Sequence, residues 1–296
     1  MNGYRRSPDA DSPSMSDQDA ILSDVAAGVP YVALPPAGWR DGRRPSPVVI
    51  AWHLNDPPRS AAAMASALPL AAVPAWRVYL DLPMHGRRQL PGGLEEFMAL
   101  GYQDAVLKAF EPQVTQAVDE FPAVLASLRA RLLIADGPIG VVGASVGALP
   151  AQLVIAGGAA HVSTAALISP VIQLAEVVAA NERRFDVSYP WSDASRAVSA
   201  RFDLVSRADE IAARDPQPAV LLVTGAGDDP AFPRQAQRLH SELRQRYSDP
   251  ERAGLVSIPG MKHAFAAEPG IEPAPQTAEA KLVDATVTDW FIRYLS

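Results

Sequence analysis

The chain has 296 residues, 48% of them hydrophobic and 20% charged, which is enough to bury a large core in one α/β domain or in two smaller domains. The net charge of −7 and the lack of a basic stripe argue against a nucleic-acid partner. The chain contains no cysteine, which excludes disulfides, thiolate catalysis and cysteine-ligated zinc.

The N-terminal sequence lacks the basic and then apolar order of a signal peptide, and no apolar run is long enough to span a bilayer. We therefore predict a cytoplasmic protein without a membrane partner. Residues 1–16 are rich in Ser, Pro and Asp and are predicted to form a disordered tail. A single domain is predicted over 17–296.

Strand-like and helix-like patterns alternate along the rest of the chain. A short helix is predicted first, capped near Ser16 or Asp17 and ended by Gly28. Residues 47–53, apolar without alternation, predict a fully buried strand. Further strands are predicted at 29–34, 76–82, from 139 to the turn at Ser145, 162–169, 218–224 and 254–259. Helices are predicted at 59–68, across 94–133 with interruptions at Pro112 and Pro122, from Ser145 to about 156, within 171–213, and at 232–247 and 277–295. This alternation predicts a mostly parallel sheet with helices on both faces.

The run Gly143-Ala144-Ser145-Val146-Gly147 lies between an apolar strand and a helix-compatible segment. Glycines two residues before and after a serine let a strand and a helix pass close together, so the serine sits at the apex of a tight, strained turn. A bare G-x-S-x-G pattern occurs by chance in about one chain in ten of this length, commonly as a Gly/Ser loop. The strand before the pattern and the helix after it favour a nucleophilic serine.

A nucleophilic serine needs an imidazole to remove its proton and a carboxylate to orient that imidazole. Asp228 and Asp229 lie in a Gly-rich turn directly after a buried strand, although a solvated turn explains that pattern equally well. His263 also follows a strand, although a lone histidine is more often structural or exposed. Ligands bind beyond the carboxyl ends of strands in open α/β sheets, so these residues are the candidates for the acid and the base.

The remaining four histidines are interpreted as non-catalytic. His240 lies within an amphipathic helix and is assigned to the surface, and His161 precedes a strand and is assigned to the opposite edge of the sheet. His53 and His85 follow strands and are interpreted as groups that shape loops through backbone hydrogen bonds. The histidines and carboxylates form no spaced ligand set, so neither a metal nor a cofactor is predicted.

Five segments together resemble the α/β-hydrolase superfamily, from about residue 28 onwards. They are W-H-L-N at 52–55, D-L-P-M-H-G at 81–86, G-A-S-V-G at 143–147, G-A-G-D-D-P at 225–230 and M-K-H-A-F at 261–265. The resemblance implies the α/β-hydrolase fold, with Ser145 as nucleophile, His263 as base and Asp228 as acid, three residues after Gly225. Asp229 stays open as an alternative acid. The D-D-x-x-x-P run also resembles prolyl-oligopeptidase-like and dienelactone-hydrolase-like members.

Hydrolysis by a serine also needs two backbone N–H groups that bind the oxyanion. Val146, directly after the serine, is the first candidate donor. Asn55 or Leu54, in the loop after the strand 47–53, is the second, although that loop is also explained as a simple turn ended by proline. The superfamily's usual His-Gly pair in this loop is His53-Leu54 here, and the loss of the glycine restricts the loop.

The segment 171–213 lies where the superfamily inserts its cap, and its length predicts a short cap that covers the pocket only in part. Trp191 and Tyr189, together with Phe185, are candidates for lining an acyl pocket. The alternative is that some of these aromatic side chains simply anchor the cap to the core.

We expect a serine hydrolase that cleaves a carboxylic ester or thioester of a small molecule through an acyl-enzyme. A peptidase of the prolyl-oligopeptidase type ranks lower, because that group usually carries a propeller domain for which there is no room before residue 28. A ligand-binding protein with a vestigial triad is a third hypothesis. Lyase or acyl-transfer chemistry is a fourth, because fold and triad do not fix the reaction. The predicted partner is the acyl substrate, and no oligomeric state is predicted.

Overall fold

A single eight-stranded sheet organises the chain in the computed structural model, which describes residues 21–39 and 44–295. The strands are β1 (Leu22–Ala26), β2 (Val29–Leu34), β3 (Val48–Trp52), β4 (Trp76–Leu80), β5 (Ile139–Ala144), β6 (Val162–Ile168), β7 (Ala219–Gly225) and β8 (Ala253–Ile258). Their order is β1-β2-β4-β3-β5-β6-β7-β8. The pairs β1–β2 and β2–β4 are antiparallel, and the remaining neighbours are parallel. The predicted mostly parallel sheet is confirmed.

Helices cover both faces of this sheet. They are α1 (Ala61–Ala67), α2 (Gly93–Asp104), α3 (Glu111–Arg131), α4 (Ala148–Gly157), α5 (Leu174–Phe185), α6 (Asp193–Arg201), α7 (Ala208–Ala212), α8 (Ala231–Arg246) and α9 (Ala278–Tyr294). Helices α1 and α9 pack on one face, and α3, α4 and α8 pack on the other. Strands β3, β5, β6 and β7 are buried along their whole length, which explains why their sequences are largely apolar.

The helix predicted before Gly28 is wrong over the described residues. Residues 22–26 form β1, and Ala27 and Gly28 make the two-residue turn to β2 with positive φ angles of 48° and 88°. Positive φ at both central positions is typical of a hairpin turn, so Gly28 turns the chain between strands instead of ending a helix. Residues 16–20 of the predicted helix, and the predicted tail 1–16, lie outside the described residues.

The predicted interruption of the 94–133 region at Pro122 is also wrong. Pro122 lies inside α3, and the neighbouring Phe121 and Val124 are fully buried against the sheet. This packing stabilises the helix in spite of the backbone hydrogen bond that proline cannot make. The real irregularity comes earlier, where a π-helical turn over Ala105–Phe110 joins α2 to α3.

The segment 171–213 forms α5, α6 and α7, and its buried apolar residues join the core on the α8 side of the sheet. Its role as a cap insertion, and the division into a tail and one domain, stay predictions. Within residues 21–39 and 44–295, no helix combines the length and the apolar character needed to cross a membrane.

Candidate active site

The turn between β5 and α4 holds Ser145 in a backbone conformation that non-glycine residues rarely adopt, with a φ angle of 49°. A Cβ at Gly143 would lie 2.4 Å from the Gly147 carbonyl oxygen, and a Cβ at Gly147 would lie 2.4 Å from the His53 carbonyl oxygen. Both positions therefore require glycine, as the sequence pattern predicts. The tight turn places Ser145 at the carboxyl end of β5, where its side chain reaches the neighbouring loops.

Three polar side chains, distant in sequence, form a continuous chain of hydrogen bonds. Ser145 Oγ is 2.7 Å from His263 Nε2, and His263 Nδ1 is 3.1 and 3.2 Å from the two carboxylate oxygens of Asp228. The Asp228 side chain is 1% exposed and that of His263 is 21% exposed. When Nδ1–H donates to a carboxylate, Nε2 presents its lone pair to the hydroxyl, which is the geometry needed to remove the hydroxyl proton.

The carboxylate of Asp229 has a different partner. Its Oδ1 accepts a 2.8 Å hydrogen bond from the N–H of Ala231, the first residue of α8. Its own backbone N–H donates to Asp228 Oδ1 over 2.7 Å. The structure therefore brings Asp228, and not Asp229, to the imidazole.

The loops after β7 and β8 hold the imidazole in place. A Cβ at Gly225 would lie 2.3 Å from the Met261 carbonyl oxygen, so glycine is needed where these two loops meet. The Gly227 N–H donates to that same oxygen over 2.8 Å. The ring of Phe232 lies 4.1 Å from the His263 ring, centroid to centroid. The two loops thus hold the backbone around His263, and Phe232 of α8 packs against its ring.

Asp56 is a site residue that the sequence analysis did not single out. Its Oδ2 lies 3.9 Å from His263 Nε2, and its side chain is 55% exposed. It directly follows Asn55 in the loop after β3. The only available signal was this position, at the sheet edge where ligands bind.

The two candidates for the second oxyanion donor differ in their surroundings. The backbone N–H of Leu54 donates to the Pro58 carbonyl oxygen over 3.2 Å, and Leu54 is fully buried, so the prediction for Leu54 is wrong. Asn55 lines the cavity above Ser145, as does Val146. The Asn55 side chain makes a reciprocal amide pair with Gln113, with Nδ2 to Oε1 at 3.1 Å and Nε2 to Oδ1 at 2.9 Å.

Gln113 is a second residue that the sequence analysis missed. It lies in the first turn of α3 and is fully buried. Besides Asn55, its Nε2 contacts His85 Nδ1 at 3.0 Å and the Pro83 carbonyl oxygen at 3.2 Å. Burial, together with a smaller contribution from the nearby His53, lowers the pKa of His85 to about 3. His85 therefore stays neutral and accepts a hydrogen bond from Gln113.

His53 shapes its loop through backbone groups, which confirms its interpretation. Its Nδ1–H donates to the Leu54 carbonyl oxygen over 2.6 Å, and its Nε2 accepts from the Leu82 N–H over 3.1 Å. Burial lowers the pKa of His53 to about 4. His240 is half-buried on α8, and His161 is exposed just before β6.

A cavity of about 370 Å³ opens above Ser145. Its walls come from the loop after β3, the π-helical turn, α5 and the loops after β7 and β8. Besides the serine and the imidazole, its lining includes Asn55, Phe110, Val146, Asn181, Arg184 and Lys262. The volume falls in the usual range for small-molecule sites.

Neither Trp191 nor Tyr189 lines this cavity, so their predicted role in an acyl pocket is not met at this position. The two rings pack edge to face with their centroids 4.9 Å apart. The Tyr189 hydroxyl donates to Asp104 Oδ1 over 2.5 Å and ties the segment after α5 to the end of α2. This contact supports the alternative that the aromatic side chains anchor the cap. Tyr189 lines a neighbouring cavity, whereas Trp191 lines neither.

The fold and the Gly-x-Ser-x-Gly turn define a member of the α/β-hydrolase superfamily. Within it, residues 111–295 match the prolyl oligopeptidase family, and the chain belongs to that family of serine hydrolases. No curated protein sequence matches the chain.

Solved structures of three further proteins are similar in fold to this chain. TT1662 from Thermus thermophilus is 16% identical with a TM-score of 0.61, over 91% of this chain and 98% of that one. The thermophilic esterase Est2 from Thermogutta terrifontis is 15% identical with a TM-score of 0.56, over 91% and 92%. The acylaminoacyl peptidase from Pyrococcus horikoshii is 12% identical with a TM-score of 0.58, over 92% of this chain and 41% of that one.

Proposed function

We propose that this protein is a serine hydrolase that cleaves a carboxylic ester or thioester of a small molecule through an acyl-enzyme. The observation that carries the proposal is the unbroken chain of hydrogen bonds from Ser145 through His263 to Asp228. It is supported by a cavity above the serine that has the size of a small-molecule site.

In the proposed reaction, Ser145 Oγ attacks the carbonyl carbon of the substrate while its proton passes to His263 Nε2. The imidazolium is stabilised by Asp228. The bond to the leaving oxygen or sulfur then breaks, and the leaving group takes the proton from His263. A water molecule, deprotonated by the same imidazole, attacks the acyl-enzyme and releases the acid with Ser145 restored.

The negative charge that develops on the carbonyl oxygen needs two donors. We assign these roles to the backbone N–H groups of Val146 and Asn55. Val146 lies in the helical turn that begins at Ser145, where the first N–H groups lack intrahelical partners. Among the described residues, no acceptor bonds the Asn55 N–H, and Asn55 lines the same cavity.

The direct test is Ser145→Ala. Hydrolysis of p-nitrophenyl acetate should fall by at least about 10⁴-fold, because loss of the nucleophile removes the covalent step. Ser169→Ala is a matched control: Ser169 also follows a parallel strand, is buried and has a positive φ of 40°, but does not line the cavity. Turnover by the folded Ser145→Ala variant at the wild-type rate would refute the proposal, and so would failure of a fluorophosphonate to label wild-type Ser145.

A second candidate is a peptidase that releases an acylated amino acid. The match to the prolyl oligopeptidase family favours it, and one similar structure is an acylaminoacyl peptidase. The esterase structure, however, is matched over 92% of its length and that peptidase over 41%. N-acetylalanine p-nitroanilide and N-acetylalanine p-nitrophenyl ester share an acyl group and differ in the bond cleaved. Cleavage of the anilide at a rate similar to that of the ester would favour the peptidase.

A further inference from the structure

A second cavity, of about 250 Å³, adjoins the one above Ser145. We call it the apolar chamber. It is formed by α2, the π-helical turn, α5 and the residues that follow α5. Its main apolar wall consists of Phe97, Met98, Tyr102, Phe110, Phe185 and Val187. Asn55, Phe110 and Asn181 line both cavities, so the chamber directly adjoins the candidate active site.

The walls of the chamber expose more apolar surface than folding alone explains. Met98, Tyr102, Phe185 and Val187 are 42%, 72%, 46% and 52% exposed, and all four surround this one concavity. Single exposed apolar side chains are ordinary, but a cluster around a cleft that adjoins a reactive serine marks a binding surface. An apolar part of the substrate would cover these side chains.

The position of the chamber relative to the imidazole decides which part of the substrate enters it. The leaving group must lie beside His263, because it takes its proton there. The chamber shares Asn55, Phe110 and Asn181 with the serine cavity, and its lining includes neither His263 nor Asp228 nor Lys262. It therefore adjoins the serine cavity along Asn55, the assigned oxyanion donor, and the imidazole is not part of its wall.

We infer that the apolar chamber binds the acyl group of the substrate and selects hydrophobic acyl chains of medium length. This inference rests on the proposed serine hydrolase function. Each methylene group moved from water into the chamber should raise kcat/KM by up to about fourfold. The wild-type protein should therefore hydrolyse p-nitrophenyl octanoate with a kcat/KM at least about tenfold above that for p-nitrophenyl acetate.

Gly101 offers a way to fill the chamber. It lines the chamber within α2, has no positive φ, and a Cβ there meets no atom within 4 Å. Gly101→Phe should therefore lower kcat/KM for the octanoate about tenfold or more and leave the acetate within twofold. Gly157→Phe is the matched control, because Gly157 is also a helical glycine with open space at its Cβ, but lies at the end of α4.

Phe185→Ala tests the chamber by removing part of its apolar wall instead of filling its volume. Phe185 is 46% exposed, so the loss of its ring should leave the fold intact, while the octanoate preference falls severalfold. Leu282→Ala, at a side chain 48% exposed on α9, is its control. If Gly101→Phe fails to fold, Phe185→Ala decides the result alone.

The outcomes separate the inference from the proposed function. The inference about the chamber is overturned if the wild type hydrolyses acetate and octanoate esters with equal kcat/KM, or if Gly101→Phe lowers kcat/KM equally for both. Turnover of the acetate would still support a serine hydrolase in either case. A selective loss of octyl acetate over ethyl acetate in Gly101→Phe overturns the assignment to the acyl group, because the chamber would then hold the leaving group. If the wild type hydrolyses no ester and a fluorophosphonate does not label Ser145, both the proposed function and the inference that rests on it are refuted.

Discussion

Replacement of the buried amide of Gln113 tests how the oxyanion loop is held. Gln113→Leu keeps the approximate volume but removes the amide pair with Asn55 and the hydrogen bonds to His85 and the Pro83 carbonyl. Several buried polar atoms then lack partners, so we expect the free energy of unfolding to fall by about 2 to 4 kcal/mol.

The kinetic effect follows from the position of Asn55. Complete loss of one oxyanion donor lowers kcat by about 10² to 10³. In Gln113→Leu the Asn55 N–H is still present but is no longer oriented by its side chain, so we expect kcat to fall by about 10- to 100-fold. KM for p-nitrophenyl acetate should change little, because this interaction forms mainly in the transition state.

Gln235→Leu is the matched control for this experiment. Gln235 is also fully buried and accepts hydrogen bonds from the Ile172 and Gln173 N–H groups at 3.0 and 2.7 Å, but it does not contact Asn55. Urea unfolding should show a loss of stability in both variants, whereas kcat should fall only in Gln113→Leu. A folded Gln113→Leu protein with kcat within twofold of the wild type would refute the reasoning.

Two further predictions concern the acid and the buried imidazole. Asp228→Asn should lower kcat by about 10³- to 10⁴-fold, whereas Asp229→Asn should leave it within twofold, because only Asp228 contacts the imidazole; the reverse order in an ester assay would contradict the assignment. His53 should destabilise the fold in acid, because its pKa rises from about 4 in the folded protein to 6.5 on unfolding, so the unfolded chain binds the extra proton. The free energy of unfolding should therefore fall by roughly 3 kcal/mol as the pH drops from 6.5 to 4. The free energy of unfolding should depend less steeply on pH in His53→Gln than in the wild type, and an equal pH dependence in the two proteins would contradict the prediction.

The sequence predicted the central sheet well because its strands are buried on both faces. Strands such as Val48–Trp52 and Ala219–Gly225 are apolar at every position or nearly so, a pattern that a surface helix does not share. The first strand carries no such signal: four of the five residues of Leu22–Ala26 are exposed at the edge of the sheet. Its conformation comes from pairing with the next strand, which the local pattern does not reveal.

Some parts of the candidate site are likewise predictable from the sequence, whereas others are not. The turn at Ser145 is a local pattern of close backbone contacts, so spacing alone predicts it. The choice between Asp228 and Asp229 needs the direction of each side chain, which adjacent residues in one loop do not encode. The pairing of Asn55 with Gln113 joins residues 58 positions apart through two neutral amides, and neither residue is conspicuous by itself.

The region that matches the family contains Ser145, Asp228 and His263 but only part of the apolar chamber, so membership of the family says little about the substrate. Residues 111–295 match the family, and they contain Ser145, Asp228 and His263. Helix α2 and the π-helical turn, which form one side of the chamber, lie before that region. The region that matches the family therefore contains the residues to which we assign the bond-breaking chemistry, whereas the acyl selection that we propose depends in part on residues 93–110. Substitutions confined to 93–110 should then change the ratio of kcat/KM between long and short acyl esters without changing the rate at which a small fluorophosphonate labels Ser145.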